Sequence, residues 1–259
     1  MATNENQMSN LSVTRALDII EFIAITGRSL TIAEICSELS LNRVTCSKLL
    51  HSLQGKNYIY REPSGKYTLT GKSFIIGTLY KNNIPCMSQF EEFGSELAKK
   101  LNIDIAFGKM SDASRAIIVS IIPQYATVLK SDSSYVPLNA TALGKILLAY
   151  QEEKIINGIL KSTNFKSYTP NSIVDEDALK KELTVIRSQG YAVDRFEYSP
   201  ERACISVPVW GAKKELYAAI SFSNIGEPSK DRINELLPLI RDYADALSFA
   251  CGYRSLKQL

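Results

Sequence analysis

Residues 30–53, Leu30-Thr31-Ile32-Ala33-Glu34-Ile35-Cys36-Ser37-Glu38-Leu39-Ser40-Leu41-Asn42-Arg43-Val44-Thr45-Cys46-Ser47-Lys48-Leu49-Leu50-His51-Ser52-Leu53, read as two short amphipathic helices around a tight turn. Ile32, Ile35, Cys36 and Leu39 line one side of the first. Cys46, Leu49, Leu50 and Leu53 line one side of the second, at helical spacing. Leu41 supplies an inward anchor between them, and Asn42 is placed to cap the second helix. The outward face of that helix carries Arg43, Thr45, Ser47, Lys48 and His51. Two helices of this form make a helix-turn-helix whose second member can enter a DNA major groove. His51 lies nearly two turns in, where phosphate contact or plain exposure is expected.

The flanking segments complete a module. Upstream, Val13, Ala16, Leu17, Ile20, Ile23 and Ala24 form a helical face, with Ser12 as its expected cap and Gly27 as its end. Downstream, Tyr58-Ile59-Tyr60-Arg61 and Lys66-Tyr67-Thr68-Leu69 flank a Pro-Ser-Gly turn and predict a β-hairpin. Three helices and a hairpin make a winged helix-turn-helix, with Arg61 and Lys66 on the wing within reach of backbone phosphates. The candidate DNA contacts are Thr31, Asn42, Arg43, Thr45, Ser47, Lys48, Arg61 and Lys66.

Charge alone does not announce a nucleic-acid partner. The net charge is +3 over 259 residues, and residues 1–72 hold eight Lys and Arg against six Asp and Glu. The opening Met-Ala-Thr-Asn-Glu-Asn-Gln-Met lacks a signal-peptide pattern and no apolar run suits a membrane span, so a cytoplasmic location is expected. Five scattered cysteines (36, 46, 86, 204, 251) and a single histidine argue against a disulfide framework and a metal centre. No cofactor is expected.

Residues 72–81 and 86–101 read as helices separated at Pro85. Strands are predicted at 103–110, 116–122, 126–130, 191–195, 203–210 and 216–223. Helices are predicted at 140–150, 152–160, 176–188 and 230–251. The elements do not alternate strictly, so an α+β domain with an antiparallel sheet is expected. The expected organisation is a DNA-binding domain at 10–71, a helical linker at 72–85, and a second domain at 86–259.

The chain resembles the IclR family of bacterial transcriptional regulators across its length. The likeness lies in Arg15-Ala16-Leu17-Asp18-Ile19, Leu30-Thr31-Ile32-Ala33-Glu34-Ile35 and Gly65-Lys66-Tyr67-Thr68-Leu69. It continues in Pro137-Leu138-Asn139-Ala140-Thr141-Ala142-Leu143-Gly144-Lys145-Ile146-Leu147-Leu148-Ala149, in Gly190-Tyr191-Ala192-Val193-Asp194 with Glu197-Tyr198, in Cys204-Ile205-Ser206-Val207-Pro208-Val209, and in Ala218-Ala219-Ile220-Ser221-Phe222-Ser223. The resemblance implies a GAF- or profilin-like effector-binding domain behind the winged helix-turn-helix, and a homodimer or dimer of dimers. It implies effector contacts at Asn139, Thr141, Ala142, Leu143, Asp194, Cys204, Ser221 and Ser223, with the Ala142 and Leu143 amides holding an effector carboxylate. Physics agrees, since a helix start suits an anion, and Ser221 and Ser223, two apart on a strand, share a face. The chain departs from the family in Asn139, where His is usual, and in Glu201, where Gly is frequent.

Function therefore reads as a ligand-responsive regulator on a near-palindromic double-stranded operator, a repressor rather than an activator, with a small carboxylate as effector and no enzyme activity. The alternative is a small-molecule-converting domain built on Cys204 and Asp194. It lacks a Cys-His pair, because the single histidine is His51. A third reading gives the rear domain a purely oligomeric role.

Overall fold

Asn10 opens the first helix by accepting the Ser12 amide, and Gly27 closes it at φ +62°. The computed structural model describes residues 10–112, 115–121, 137–162 and 166–254. The chain divides into two compact units, one ending at Ile84 and the other beginning at Pro85.

In the first unit α1 (Leu11–Thr26), α2 (Ile32–Glu38) and α3 (Arg43–Gly55) precede a hairpin of β1 (Ile59–Arg61) and β2 (Tyr67–Leu69), then α4 (Lys72–Asn82). β1 and β2 pair antiparallel with Ile59 opposite Leu69, and Leu30 bridges Tyr67 on the hairpin's other side. The apolar faces expected for α2 and α3 are those packed into the core around Ile35, Cys46, Leu50 and Leu53.

The first helix corrects the sequence reading twice. Ser12 lies inside the first turn and Asn10 is the cap. Val13, Leu17 and Ala24, expected on the buried face, are exposed, whereas Ile19 and Ile23 are buried. The helix is apolar on more than one side, so periodicity alone offers several stripes. Packing on α3 and β2 selects the stripe centred on Ile19 and Ile23.

The second unit holds α5 (Met87–Leu101), β3 (Asp104–Asp112), β4 (Arg115–Ile121), α6 (Ala142–Ala149), α7 (Glu153–Ser162), α8 (Glu176–Gln189), β5 (Ala192–Ser199), β6 (Arg202–Trp210), β7 (Leu216–Ser223) and α9 (Lys230–Ala250). Five strands form one sheet in the order β4-β3-β7-β6-β5, each neighbouring pair antiparallel. The expected strand at 126–130 lies outside the described residues.

Helices cover both faces of the sheet. On one, Phe107 of β3 meets Phe90 of α5 at 5.5 Å, and Phe90 stacks on Tyr243 of α9 at 6.2 Å. On the other, Ala192, Cys204 and Ala219 pack with Ala142, Leu143, Ile146 and Leu147 of α6, behind which lie Leu179, Leu183 and Ile186 of α8. Both faces are therefore buried, which is why β6 reads as a nearly unbroken apolar run. Among the described residues no helix is long and apolar enough to cross a membrane.

Candidate DNA interface and effector site

The start of α3 is fixed by Asn42, whose Oδ1 accepts the Thr45 amide at 2.8 Å. Thr31 does the same for α2 in a capping box: its Oγ1 accepts the Glu34 amide at 3.3 Å, and its own amide donates to Glu34 Oε2 at 2.7 Å. The Thr31 amide and hydroxyl, with Arg28 beside them, hold the Glu34 carboxyl down at about 2. Both residues proposed as DNA contacts thus set helix starts. Thr45 is half-buried, while Arg43, Ser47 and Lys48 are exposed.

The wing is tied down before its turn. Ser29 and Ser64 both donate to the Glu62 carboxylate and hold its pKa below the usual range. Gly65 takes φ +84° in that turn, a conformation in which a side chain would be strained. The Arg61 guanidinium lies 5.8 Å from the centroid of the Tyr67 ring. Between α3 and the wing runs a groove of about 580 Å³ lined by Arg43, Ser47, Lys48, Arg61, Gly65 and Tyr67, with Ile32 and Val44 as its aliphatic members. Lys66 is exposed in the wing. Three cations facing one groove at a helix start suit a polyanion.

In the second unit the sheet register brings most of the expected effector residues together. Asp194 of β5 pairs with Cys204 of β6, and Cys204 pairs with Ser223 of β7, so the three form one row. Ser206 and Ser221 form the next row on the same face. Cys204 Sγ donates to Ser223 Oγ at 3.2 Å, while Ser221 Oγ donates to the Ile205 carbonyl at 3.1 Å. Burial, with the Asp194 charge beside it, pushes the Cys204 thiol up to about 12.

Asp194 is 1% exposed, and burial raises its carboxyl to about 7 against the pull of the Glu197 amide, which donates to Oδ1 at 2.7 Å. That bond holds a bulge between Asp194 and Ser199 in which Phe196 adopts φ +60°. The strained turn lets Asp194 and Glu197 both face inward.

The start of α6 packs over this face. Thr141 Oγ1 accepts the Gly144 amide at 3.0 Å and donates to the Pro137 carbonyl at 2.9 Å. The first-turn amides of Ala142 and Leu143 have no acceptor within the helix. A Cβ at Gly144 would sit 2.5 Å from the Pro137 oxygen, and one at Gly108 would sit 2.5 Å from Leu143. Glycine at these two positions lets α6 approach both its own entry loop and β3. Asn139 stands in the turn before α6, where its Nδ2 donates to the Ile173 carbonyl at 3.0 Å and so braces the segment leading to α8.

Sequence reasoning passed over Lys145. It is 1% exposed, and its Nζ donates to Glu197 Oε1 (2.7 Å), the Val193 carbonyl (2.7 Å) and Glu182 Oε1 (3.0 Å). A lone lysine inside the apolar run Ala142–Ala149 was the available signal, since a buried ammonium needs acceptors. Among the described residues no group of three or more His, Cys, Asp and Glu is placed to hold a metal ion.

Comparison with known proteins agrees with this architecture. Residues 78–249 match the family described as bacterial transcriptional regulator IclR C-terminal, and residues 9–66 match the MarR family. The HTH-type transcriptional regulator XynR of Escherichia coli is 29% identical over 245 residues, covering 93% of this chain and 97% of that protein. The crystal structure of the Thermotoga maritima IclR superposes with a TM-score of 0.76 at 23% identity, covering 93% of this chain and 99% of that one. An IclR homolog from Microbacterium hydrocarbonoxydans, complexed with 4-hydroxybenzoate, gives a TM-score of 0.75 at 15% identity over 93% of this chain and 98% of its own. A winged helix-turn-helix ahead of a five-stranded antiparallel sheet, with the matched 78–249 segment spanning all five strands of that sheet, leads to one conclusion: the chain belongs to the IclR family of bacterial transcriptional regulators.

Proposed function

We propose that this regulator represses transcription as a homodimer that releases a near-palindromic operator when a small carboxylate binds the second unit. The groove between α3 and the wing carries the reading, because it gathers Arg43, Lys48 and Arg61 around one helix start. In this reading Arg43 and Ser47 reach base edges. Lys48, Arg61 and Lys66 hold phosphates, and Thr31, Asn42 and Thr45 present the helix starts to the backbone.

Exposed apolar side chains support the dimer. Leu11, Val13 and Leu17 project from α1, and Phe74, Ile75 and Leu79 from α4, with Phe74 77% exposed. Side chains of this size left open on two helices mark an interaction surface. A two-fold dimer sets two recognition helices about 34 Å apart, which a palindrome matches.

The effector is read at the start of α6 and the Asp194–Cys204–Ser223 row. The Ala142 and Leu143 amides suit a carboxylate, and the homolog bearing 4-hydroxybenzoate shows that a member of this fold holds one. Ser223 has an O–H that can turn to a ligand, and Asn139 and Thr141 shape the entry. Cys204 lines the site as a thiol, since a pKa pushed up to about 12 leaves no nucleophilic thiolate at neutral pH. We therefore read the second unit as a sensor, not a catalyst.

The test is a mobility-shift titration at fixed salt with the Arg43→Ala/Lys48→Ala protein. Loss of operator binding with an unchanged melting temperature is expected, and unchanged affinity would overturn the recognition-helix assignment. In parallel, a thermal-shift screen of small carboxylates should find a ligand adding about 2.7 kcal/mol at a hundred times its Kd.

A further inference from the structure

Val44 stands apart from every other apolar residue of α3. Cys46, Leu49, Leu50 and Leu53 are buried in the core, whereas Val44 is 67% exposed at the second position of the helix. A β-branched residue there has modest helix propensity and packs against little, so neither local preference nor the core explains it. Its surroundings are specific. It lines the groove between α3 and the wing with Arg43, Lys48 and Arg61, and an aliphatic side chain ringed by cations fits poorly against an apolar protein surface. It does fit the major groove, where the phosphates meet the cations and thymine presents the one methyl group on the base edges.

We propose that Val44 is a specificity-determining residue that reads the C5-methyl of one thymine in each operator half-site. The inference rests on α3 being the helix that enters the groove, and adds what that helix selects. Residues of the first turn of a recognition helix are those that face base edges. Arg43, one position earlier, has the donor fork for an adjacent guanine. Spacings of three and four residues place Ser47 and Lys48 on Val44's face of the helix, where phosphate contact by Lys48 would hold the methyl contact in register.

The experiment uses the full-length protein and the operator it selects from randomised duplex DNA, with each thymine then replaced singly by deoxyuridine. That exchange removes the methyl group and nothing else. One position per half-site should lose affinity about fourfold, the effect of one buried methyl group. Val44→Ala should bind the thymine operator more weakly by a similar factor and bind the thymine and uracil duplexes equally. Because Val44 is exposed, the melting temperature of Val44→Ala should match the parent.

Three results overturn the proposal. One is a selected operator with no thymine in common between its half-sites. Another is an operator in which no uracil exchange changes affinity. The third is a Val44→Ala protein that keeps the parent's preference for thymine. If Arg43→Ala/Lys48→Ala also leaves operator binding intact, the placement of α3 fails with it. If that double variant loses binding while Val44→Ala binds the operator as tightly as the parent and keeps its preference for thymine, only the present inference falls.

Discussion

Replacing Lys145 with methionine should destabilise the second unit by about 3–5 kcal/mol, the usual cost of breaking a buried ion pair from one side. The structure says where the cost falls. The ammonium's three protons are all committed, to Glu197, Val193 and Glu182. The Glu182 side chain is 32% exposed and can turn to water, whereas that of Glu197 is 7% exposed and cannot. Glu197 Oε2 already lacks a partner, so without Lys145 the buried carboxylate keeps only the Arg195 amide at 3.3 Å. For a unit of this size such a loss lowers the melting temperature by roughly 10 °C. The assay is calorimetry of the parent, Lys145→Met, Glu197→Gln and the double variant. The double variant should be more stable than the two single effects added together predict, by about 2 kcal/mol or more, because a neutral amide no longer needs the ammonium. Strict additivity, or a Lys145→Met cost below about 1 kcal/mol, would refute the assignment of Lys145 as the clamp between α6 and β5.

Other perturbations test the remaining sites. The Asp194 pKa is raised by burial from 3.8 to about 7, so its contribution to stability is complete below pH 3.8, declines as pH rises to about 7, and is flat above; the total is about 4 kcal/mol. Asp194→Asn should remove this slope in urea titrations at a series of pH values, and a difference curve flat from pH 4 to 7 would count against the buried acid. A carboxylate effector should bind less tightly as pH rises through about 7 in isothermal titration, as Asp194 loses the proton it can donate. Asn42→Ala should cost about 1 kcal/mol of stability through the lost cap, whereas Asn42→Asp should keep the cap yet weaken operator binding by setting a negative charge at the phosphates. Gly144→Ala should cost about 1–3 kcal/mol, because its methyl would meet backbone at Pro137 and Leu138, and denaturant melting reads it directly. Lys66→Ala should lower the salt dependence of operator binding by about 0.9 per protomer in log-log slope, with sequence preference intact.

What the sequence made legible follows from where the physics is local. The faces of α2 and α3 were readable because each helix has one apolar stripe and a remainder that, Val44 apart, offers no competing apolar stripe. The face of α1 was not, since Leu11, Val13, Leu17 and Ile25 make its solvent side as apolar as its core side. The antiparallel sheet was readable from the order of elements, and the Ser221–Ser223 pair from period two. The row joining Asp194, Cys204 and Ser223 was out of reach of spacing alone, because the pairing of Asp194 with Cys204 depends on the bulge after Asp194, and that of Cys204 with Ser223 on the shift between Val209 and Trp210. That bulge in turn depends on a Phe196 in the left-handed region, which no propensity suggests. The bond from Asn139 to Ile173 was not legible either, because it joins residues 34 apart in sequence.

The helix α6 ties these observations together. Its first turn offers the amides read as the carboxylate seat, and its third residue is the glycine pressed against Pro137 and Leu138. The next residue is Lys145, which reaches the Val193 carbonyl immediately before Asp194 and the Glu197 carboxylate within the bulge that follows it. A ligand that pulls on the first-turn amides therefore acts on a helix bonded to both sides of the Asp194 turn. Any shift of α6 must carry β5 with it or break buried charge contacts, and the second course costs several kcal/mol. In the proposed reading, a displacement of α6 by a bound carboxylate would be directed into the sheet edge instead of being absorbed by side chains. On that reading the sensor would have a rigid coupling at the point where its ligand is expected, and Lys145→Met should separate ligand binding from operator release.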